Sequence, residues 1–292
     1  MSDPGISGTT GLCGVIGDPI EHTMSPVMHN AAFRETGLDY VYTAFRVRSE
    51  ELGEAIRGMR ALNIRGLNVT IPHKVAVIPF LDEVDALAEK IGAVNTIVND
   101  NGVLKGYNTD ASGFLQALLE KGVDPQGKRV LVLGAGGASR AVSLALGERG
   151  ARIFIFNRVE ELDWAYELAA RVGWHSEHEA KAGELHRQNL AGVLPNMDIL
   201  VNTTSVGMSP ETDRTPVDAD LLRPGLVVFD IVYNPLKTRL LNEAEAAGAQ
   251  TIAGIDMLAW QGALAFEKWT GVQAPVDLMK REAIRLLEKY ET

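Results

Sequence analysis

From Val130 to Ser139 the sequence reads Val-Leu-Val-Leu-Gly-Ala-Gly-Gly-Ala-Ser, an apolar strand pattern that breaks into glycines and reopens as a helix. Gly134 permits a tight turn, Gly136 lets backbone approach a pyrophosphate, and the small Ser139 lets the helix pack on the strand. Gly134, Ala135, Gly136, Gly137 and Ala138 therefore form a candidate loop for a dinucleotide, with phosphates at a helix N-terminus that favours anions. The bland alternative is a tight turn that binds nothing. The next strand ends in Phe156-Asn157-Arg158. An NAD site would place a carboxylate near there for the ribose 2′-OH, whereas a guanidinium can grip a 2′-phosphate with two donors. Asn157 and Arg158 thus point to NADP, unless Arg158 only solvates a strand end.

A second group of polar residues precedes that loop. Thr23 and Ser25 lie just before an amphipathic pattern, where their hydroxyls can donate to a ligand carboxylate. Ser25 equally reads as a helix N-cap with Pro26 at N1. In Asn68-Val-Thr70-Ile-Pro-His-Lys74, Asn68 and Thr70 fall on one face of a strand and interrupt an apolar pattern. Lys74 follows, opening a segment that looks helical. Its ammonium is either a surface charge or a proton donor. Asn95 is another polar residue in a buried-looking strand, and Asp110 precedes a helix that it can cap.

Composition narrows the classes. A formal net charge of −10 argues against nucleic acid as a partner. No apolar run is long enough to span a membrane, and the first eleven residues carry neither the charge nor the apolar core of a signal peptide, reading as a flexible lead-in. The single cysteine, Cys13, sits in an apolar run as a buried small hydrophobe. It excludes an internal disulfide and fits a cytoplasmic location. The six histidines show no metal-ligand spacing. His175 and His178 lie in a stretch read as a solvated loop, so no metal is expected.

These residues need elements to position them, and 292 residues predict two domains. Apolar runs alternate with amphipathic helical patterns, which predicts α/β architecture with largely parallel sheets. In the first series strands are expected at 11–16, 40–46, 66–70, 93–99 and 103–107, with helices at 26–36, 50–62 and 82–91. The last two strands form a hairpin turning at Asn99–Gly102. A helix at 110–121 leads to a second series. Strands are expected there at 129–133, 152–156, 199–202, 227–230 and 250–252, and helices at 138–149, 160–171 and 238–247. Two terminal helices, 256–269 and 275–290, are placed back on the first domain.

Taken together, the segments resemble the shikimate dehydrogenase family over nearly the whole chain. The carrying motifs are Gly14–Asn30 (GVIGDPIEHTMSPVMHN), Asn68–Lys74, Gly92-Ala-Val-Asn-Thr96 and Gly106-Tyr-Asn-Thr-Asp110. Gly134–Ala138, Asn202-Thr-Thr-Ser-Val-Gly-Met208 and Gly254-Ile-Asp-Met-Leu258 complete the set. The resemblance implies an α/β chain of two domains. An N-terminal substrate domain would comprise 1–110 plus 256–292, the C-terminal helices returning to it, and a Rossmann-type NADP-binding domain would comprise 111–255. The reaction implied is the reversible reduction of 3-dehydroshikimate to shikimate with NADPH, in the pathway to aromatic amino acids.

Residue by residue, the resemblance implies Lys74 and Asp110 as the catalytic pair and Thr23 with Ser25 as the carboxylate anchor. Asn68, Thr70, Asn95, Tyr233 and Gln261 would line the substrate pocket. Ile231, Gly254 and Met257 would lie near the nicotinamide, Asn157 and Arg158 at the adenosine phosphate. Two departures stand out. Thr23 replaces a common serine, as in the quinate/shikimate branch. Val159 and Leu162 replace a threonine and a base after Arg158, with Glu160 and Glu161 between them. NAD use and quinate as a substrate are thereby left open, as are monomer and homodimer. An NAD-preferring quinate/shikimate dehydrogenase and a non-catalytic dinucleotide-binding regulator are the two alternatives. The regulator would be expected to lack the lysine–aspartate pair.

Overall fold

The computed structural model describes residues 5–291, so part of the expected N-terminal lead-in lies outside it. The chain divides into two units, one running to Gly113 and resuming at Ala259, the other spanning Phe114–Leu258. Both divisions fall inside helices. The reading from sequence put them at 110 and 256, where helical patterns begin.

The first unit contains β1 (Gly11–Gly17), α1 (Ser25–Thr36), β2 (Tyr40–Arg46), α2 (Leu52–Ala61), β3 (Gly66–Val69) and β4 (Glu83–Val84). α3 (Ala86–Ile91), β5 (Thr96–Asp100), β6 (Val103–Tyr107) and the start of α4 (Thr109–Glu120) follow. The sheet order is β2-β1-β3-β5-β6-β4. β1 pairs in parallel with β2 and β3, but β5 is antiparallel to β3 and to β6. The sheet is therefore mixed, because a four-residue hairpin turn can only reverse direction. That turn has Asn101 and Gly102 at positive φ, as a tight hairpin of right-handed strands requires. The expected helix at 82–91 is shorter. Residues 83–84 pair with β6 instead, and Asp85 caps α3 by accepting from the Leu87 N–H at 3.1 Å.

In the second unit β7 (Arg129–Leu133), α5 (Gly137–Glu148), β8 (Arg152–Asn157), α6 (Leu162–His175), β9 (Lys181–Glu184) and α7 (Arg187–Val193) come first. β10 (Ile199–Asn202), β11 (Val227–Asp230), α8 (Arg239–Ala246) and β12 (Gln250–Ala253) complete it. All six strands are parallel in the order β12-β11-β10-β7-β8-β9. This is the doubly wound arrangement of dinucleotide-binding domains, with its switch point between β7 and β10. β9 and α7 were not anticipated. Lys-Ala-Gly-Glu carries no apolar alternation, and as an edge strand β9 needs none. α6 extends to His175, so that histidine ends a helix rather than lying in a loop.

Two helices close the chain, α9 (Gly254–Thr270) and α10 (Val276–Glu291), and α10 packs on α1 of the first unit. Trp269 of α9 is buried and donates its indole N–H to the Ile97 carbonyl at 3.0 Å. It lies 5.2 Å from the ring of His29 and 5.9 Å from that of Tyr42, in an aromatic cluster that fastens α9 to α1 and β2. Cys13 is buried in β1, and burial pushes its thiol up to about 12, so it acts as a small apolar side chain. Among the described residues no helix is long and apolar enough to cross a membrane, and no three potential metal ligands gather.

Candidate active site

In the first unit the polar residues emerge at one end of the sheet. β1, β3 and β6 end there, and the antiparallel β5 begins there, so Thr23, Lys74, Asp110 and Asn95 share that edge. Lys74 follows β3 in a series of turns rather than in a helix. Its Nζ donates to Asp110 Oδ2 at 2.6 Å, with side-chain exposures of 19% and 9%. Such a pair is largely withdrawn from water, yet the ammonium keeps a path to a ligand.

Asp110 does not cap α4 as expected. Asn108 does, accepting from the Ala111 N–H at 3.2 Å, while its amide donates to the Ala93 carbonyl at 3.0 Å. This leaves the Asp110 carboxylate for side chains. Asn95 donates to Asp110 Oδ1 at 2.8 Å and to Thr109 Oγ1 at 3.0 Å, and its own oxygen accepts from the Thr109 N–H at 2.7 Å. Both carboxylate oxygens are therefore committed, and the carboxylate can turn only if Asn95 or Lys74 moves with it.

Asn68 continues the chain of contacts. Its amide donates to Thr96 Oγ1 at 3.2 Å and to the Asn95 carbonyl at 3.3 Å. Its oxygen accepts from the Tyr42 hydroxyl at 2.7 Å. Burial holds the Tyr42 phenol well above its ordinary pKa, and the neighbouring Ser25 side chain offsets part of that rise. Tyr42 thus links the Ser25 region to the Asn68–Asn95–Asp110 network. Sequence reading missed Tyr42, Thr96 and Asn108. The first two look like ordinary strand residues, but Asn108 was visible as an Asx cap two residues before Asp110.

Ser25 was expected to cap α1 with Pro26 at N1. The helix instead starts at Ser25 itself, and no side chain caps it. Thr23 Oγ1 accepts from the Ser25 N–H at 3.3 Å and lies 3.2 Å from Ser25 Oγ. Two adjacent hydroxyls stand at an uncapped helix N-terminus, an arrangement suited to a carboxylate. Thr70 lies just beyond β3, and its hydroxyl has no hydrogen-bond partner among the described residues. Gln261 sits half-buried on α9.

In the second unit the matching residues also lie at strand C-termini. Gly134 follows β7 with φ +101°, a conformation that L side chains rarely adopt, and a Cβ there would meet Thr203 Oγ1 at 3.0 Å. Ala135 is buried, Gly137 and Ala138 are half-buried, and Ser139 donates to the Gly134 carbonyl at 2.6 Å, locking α5 to the turn. A Cβ on Gly136 would project into open space, and no side chain caps α5. The loop therefore presents bare backbone at a helix N-terminus beside the switch point, which fits the pyrophosphate of a dinucleotide.

Asn157 ends β8 and Arg158 follows it. Asn157 donates to the Glu161 carbonyl at 2.9 Å, and Arg158 forms an ion pair with the Glu161 carboxylate. At the far side of the switch point Asp230 is the last residue of β11 and is fully buried. Oδ1 accepts from Asn202 Nδ2 at 2.9 Å and the Val232 N–H at 3.1 Å, and Oδ2 from Thr238 Oγ1 at 2.6 Å. Burial pushes Asp230 up to about 6 despite those three donors. This network, also absent from the sequence reading, fixes the strand exits that carry Ile231 and Tyr233. Ile231 is half-buried, and its carbonyl would lie 2.3 Å from a Cβ on Gly254, so only glycine fits there. Met257 is buried three residues on, and Tyr233 is raised above its ordinary pKa by burial.

Known proteins carry the same arrangement. The profile of the shikimate dehydrogenase substrate binding domain matches residues 15–97, and that of the shikimate 5′-dehydrogenase C-terminal domain matches 254–284. Shikimate dehydrogenase (NADP(+)) of Moorella thermoacetica is 48% identical over 277 residues, covering 94% of this chain and 93% of that protein. This chain belongs to the shikimate dehydrogenase family. Among solved structures, a shikimate dehydrogenase in complex with NADP+ superposes with a TM-score of 0.91 at 43% identity, covering 97% of each chain. The Listeria monocytogenes enzyme in complex with shikimate and NAD gives 0.90 at 43% identity, covering 96% of this chain and 98% of that one. The expected α/β fold class, with its two sheet domains, is the family's.

Proposed function

We propose that this chain catalyses the reversible reduction of 3-dehydroshikimate to shikimate with NADPH, with Lys74 as the acid and Asp110 as its partner. The observation that carries the reading is the Lys74–Asp110 pair, part-buried, 2.6 Å apart and braced by Asn95. Its presence weighs against a non-catalytic regulator, which has no use for an ammonium held on a buried carboxylate. Thr23 and Ser25 bind the substrate carboxylate at the start of α1. Asn68, Thr70, Asn95, Tyr233 and Gln261 serve the ring hydroxyls.

When bound, NADPH supplies the hydride that attacks the ketone carbon. As that bond forms, negative charge grows on the ketone oxygen, and Lys74 stabilises it and delivers a proton from Nζ. Asp110 holds the ammonium in line and can accept from a neighbouring substrate hydroxyl. Gly134–Ala138 bind the pyrophosphate through backbone N–H groups, and Asn157 with Arg158 serve the adenosine phosphate. Ile231, Gly254 and Met257 serve the nicotinamide side. A cytoplasmic location suits an enzyme whose only cysteine is a buried thiol.

The test is steady-state oxidation of shikimate or quinate with NADP+ or NAD+, followed by nicotinamide absorbance in all four combinations. A kcat/KM for shikimate with NADP+ at least about tenfold above every other pairing is expected. A preference for quinate would move the chain to the other branch. Binding of dinucleotide with no turnover in any pairing would overturn the reading.

A further inference from the structure

The cofactor end of β8 contains a feature that the reaction does not require. Arg158 is the only cation in the stretch 157–170, and its guanidinium is already taken by Glu161. The pair is not a chance meeting of two mobile side chains. Residues 159–161 form a turn of 3₁₀ helix, and the Asn157 amide clamps its end through the Glu161 carbonyl at 2.9 Å. The Glu161 side chain is 24% exposed against 66% for Arg158, so the carboxylate is the more sheltered partner of the pair. Glu160 adds a second negative charge beside the pair, and Val159, 58% exposed, offers no donor.

We propose that Glu161 is a selectivity residue whose carboxylate competes with the 2′-phosphate of NADP for Arg158, so that this chain prefers NADP over NAD by less than a free Arg158 would give. The inference rests on the dinucleotide site proposed above. A 2′-phosphate carries between one and two negative charges at neutral pH. To reach Arg158 it must displace Glu161, and it then lies beside the carboxylate it displaced. NAD meets neither obstacle, because its 2′-hydroxyl is neutral and can donate to a carboxylate at this position. The Glu161 carboxylate thus weakens one cofactor and leaves the other untouched.

The experiment is calorimetric titration of NADP+ and NAD+ into the purified chain at low ionic strength, for wild type, Glu161→Gln and Glu161→Gln with Arg158→Ala. The glutamine keeps the size of the side chain and removes only its charge. NADP+ is expected to bind about five- to tenfold more tightly to Glu161→Gln, with NAD+ changed less than about twofold. The gain should vanish when Arg158 is also replaced. An unchanged NADP+ affinity in Glu161→Gln, or an equal gain for both dinucleotides, overturns the proposal. Wild type binding neither dinucleotide would instead sink the cofactor-site reading itself, so the two failures are distinguishable.

Discussion

Lys74 and Arg158 are the two cations to which we assign the chemistry and the cofactor choice, and the fold holds them in opposite ways. Lys74 pairs with Asp110, thirty-six residues away, and Asp110 is held in turn by Asn95, fifteen residues before it. Its side chain is 19% exposed. Arg158 pairs with Glu161, three residues along the same turn, and is 66% exposed. The first arrangement exists only when β3, β5 and α4 are assembled, so it is as rigid as the sheet. The second is local and wet, where exposed pairs contribute little and salt weakens them. On the proposed assignment, a single substitution on that turn should retune cofactor preference without disturbing the Lys74–Asp110 pair.

The contrast can be broken most severely at Lys74. Lys74→Ala should lower kcat by about 10²–10⁴-fold with little change in KM, since it removes the acid and leaves Thr23 and Ser25 in place. Steady-state rates with NADP+ and shikimate check it, and near-normal kcat would remove Lys74 from the chemistry. Asn95→Ala should cost less, about ten- to a hundredfold in kcat, because it frees Asp110 to swing and takes Lys74 with it. Circular dichroism should show the fold intact.

The smallest expected effect concerns stability. Asp230 titrates at about 6 in the fold against 3.8 when unfolded, so the native state holds its proton more tightly. The stability this adds is complete below about pH 4 and is lost as pH rises through 6. Asp230→Asn retains the acceptor for Asn202 and Val232, and its amide can donate to Thr238. The variant should therefore lack that component of the pH slope. Relative to the variant, wild type should lose on the order of 1–3 kcal/mol between pH 4 and 7 in denaturant titrations. Parallel profiles would show that Asp230 is charged throughout.

The same contrast explains what the sequence could and could not reveal. The glycine loop was legible because Gly134, Gly136 and Ser139 answer local demands of a turn and a helix start. Lys74 and Asp110 stood out only through the family resemblance, since each has an innocent local role. The cap assigned to Asp110 belongs to Asn108, and the one assigned to Ser25 is absent. Local rules name a plausible capping residue, but tertiary partners decide which neighbour is used. Tyr42 and Asp230 were invisible for the same reason. Both are buried polar groups whose partners lie on other strands or beyond the next turn, such as Asn68, Asn202 and Thr238. β9 escaped notice because an edge strand of four polar or small residues has no periodicity to detect.

Whether Lys74 and Asp110 act as one pre-built unit is tested most directly by a double-mutant cycle. kcat/KM for shikimate with NADP+ would be measured in wild type, Lys74→Ala, Asp110→Ala and the double variant. If Asp110 works mainly through Lys74, with only its contact to a substrate hydroxyl left to lose, the double variant should lie within about tenfold of Lys74→Ala alone and far short of the product of the single effects. Losses that multiply, so that the double variant falls by the product of the single effects, would show that the two act independently and contradict the assignment.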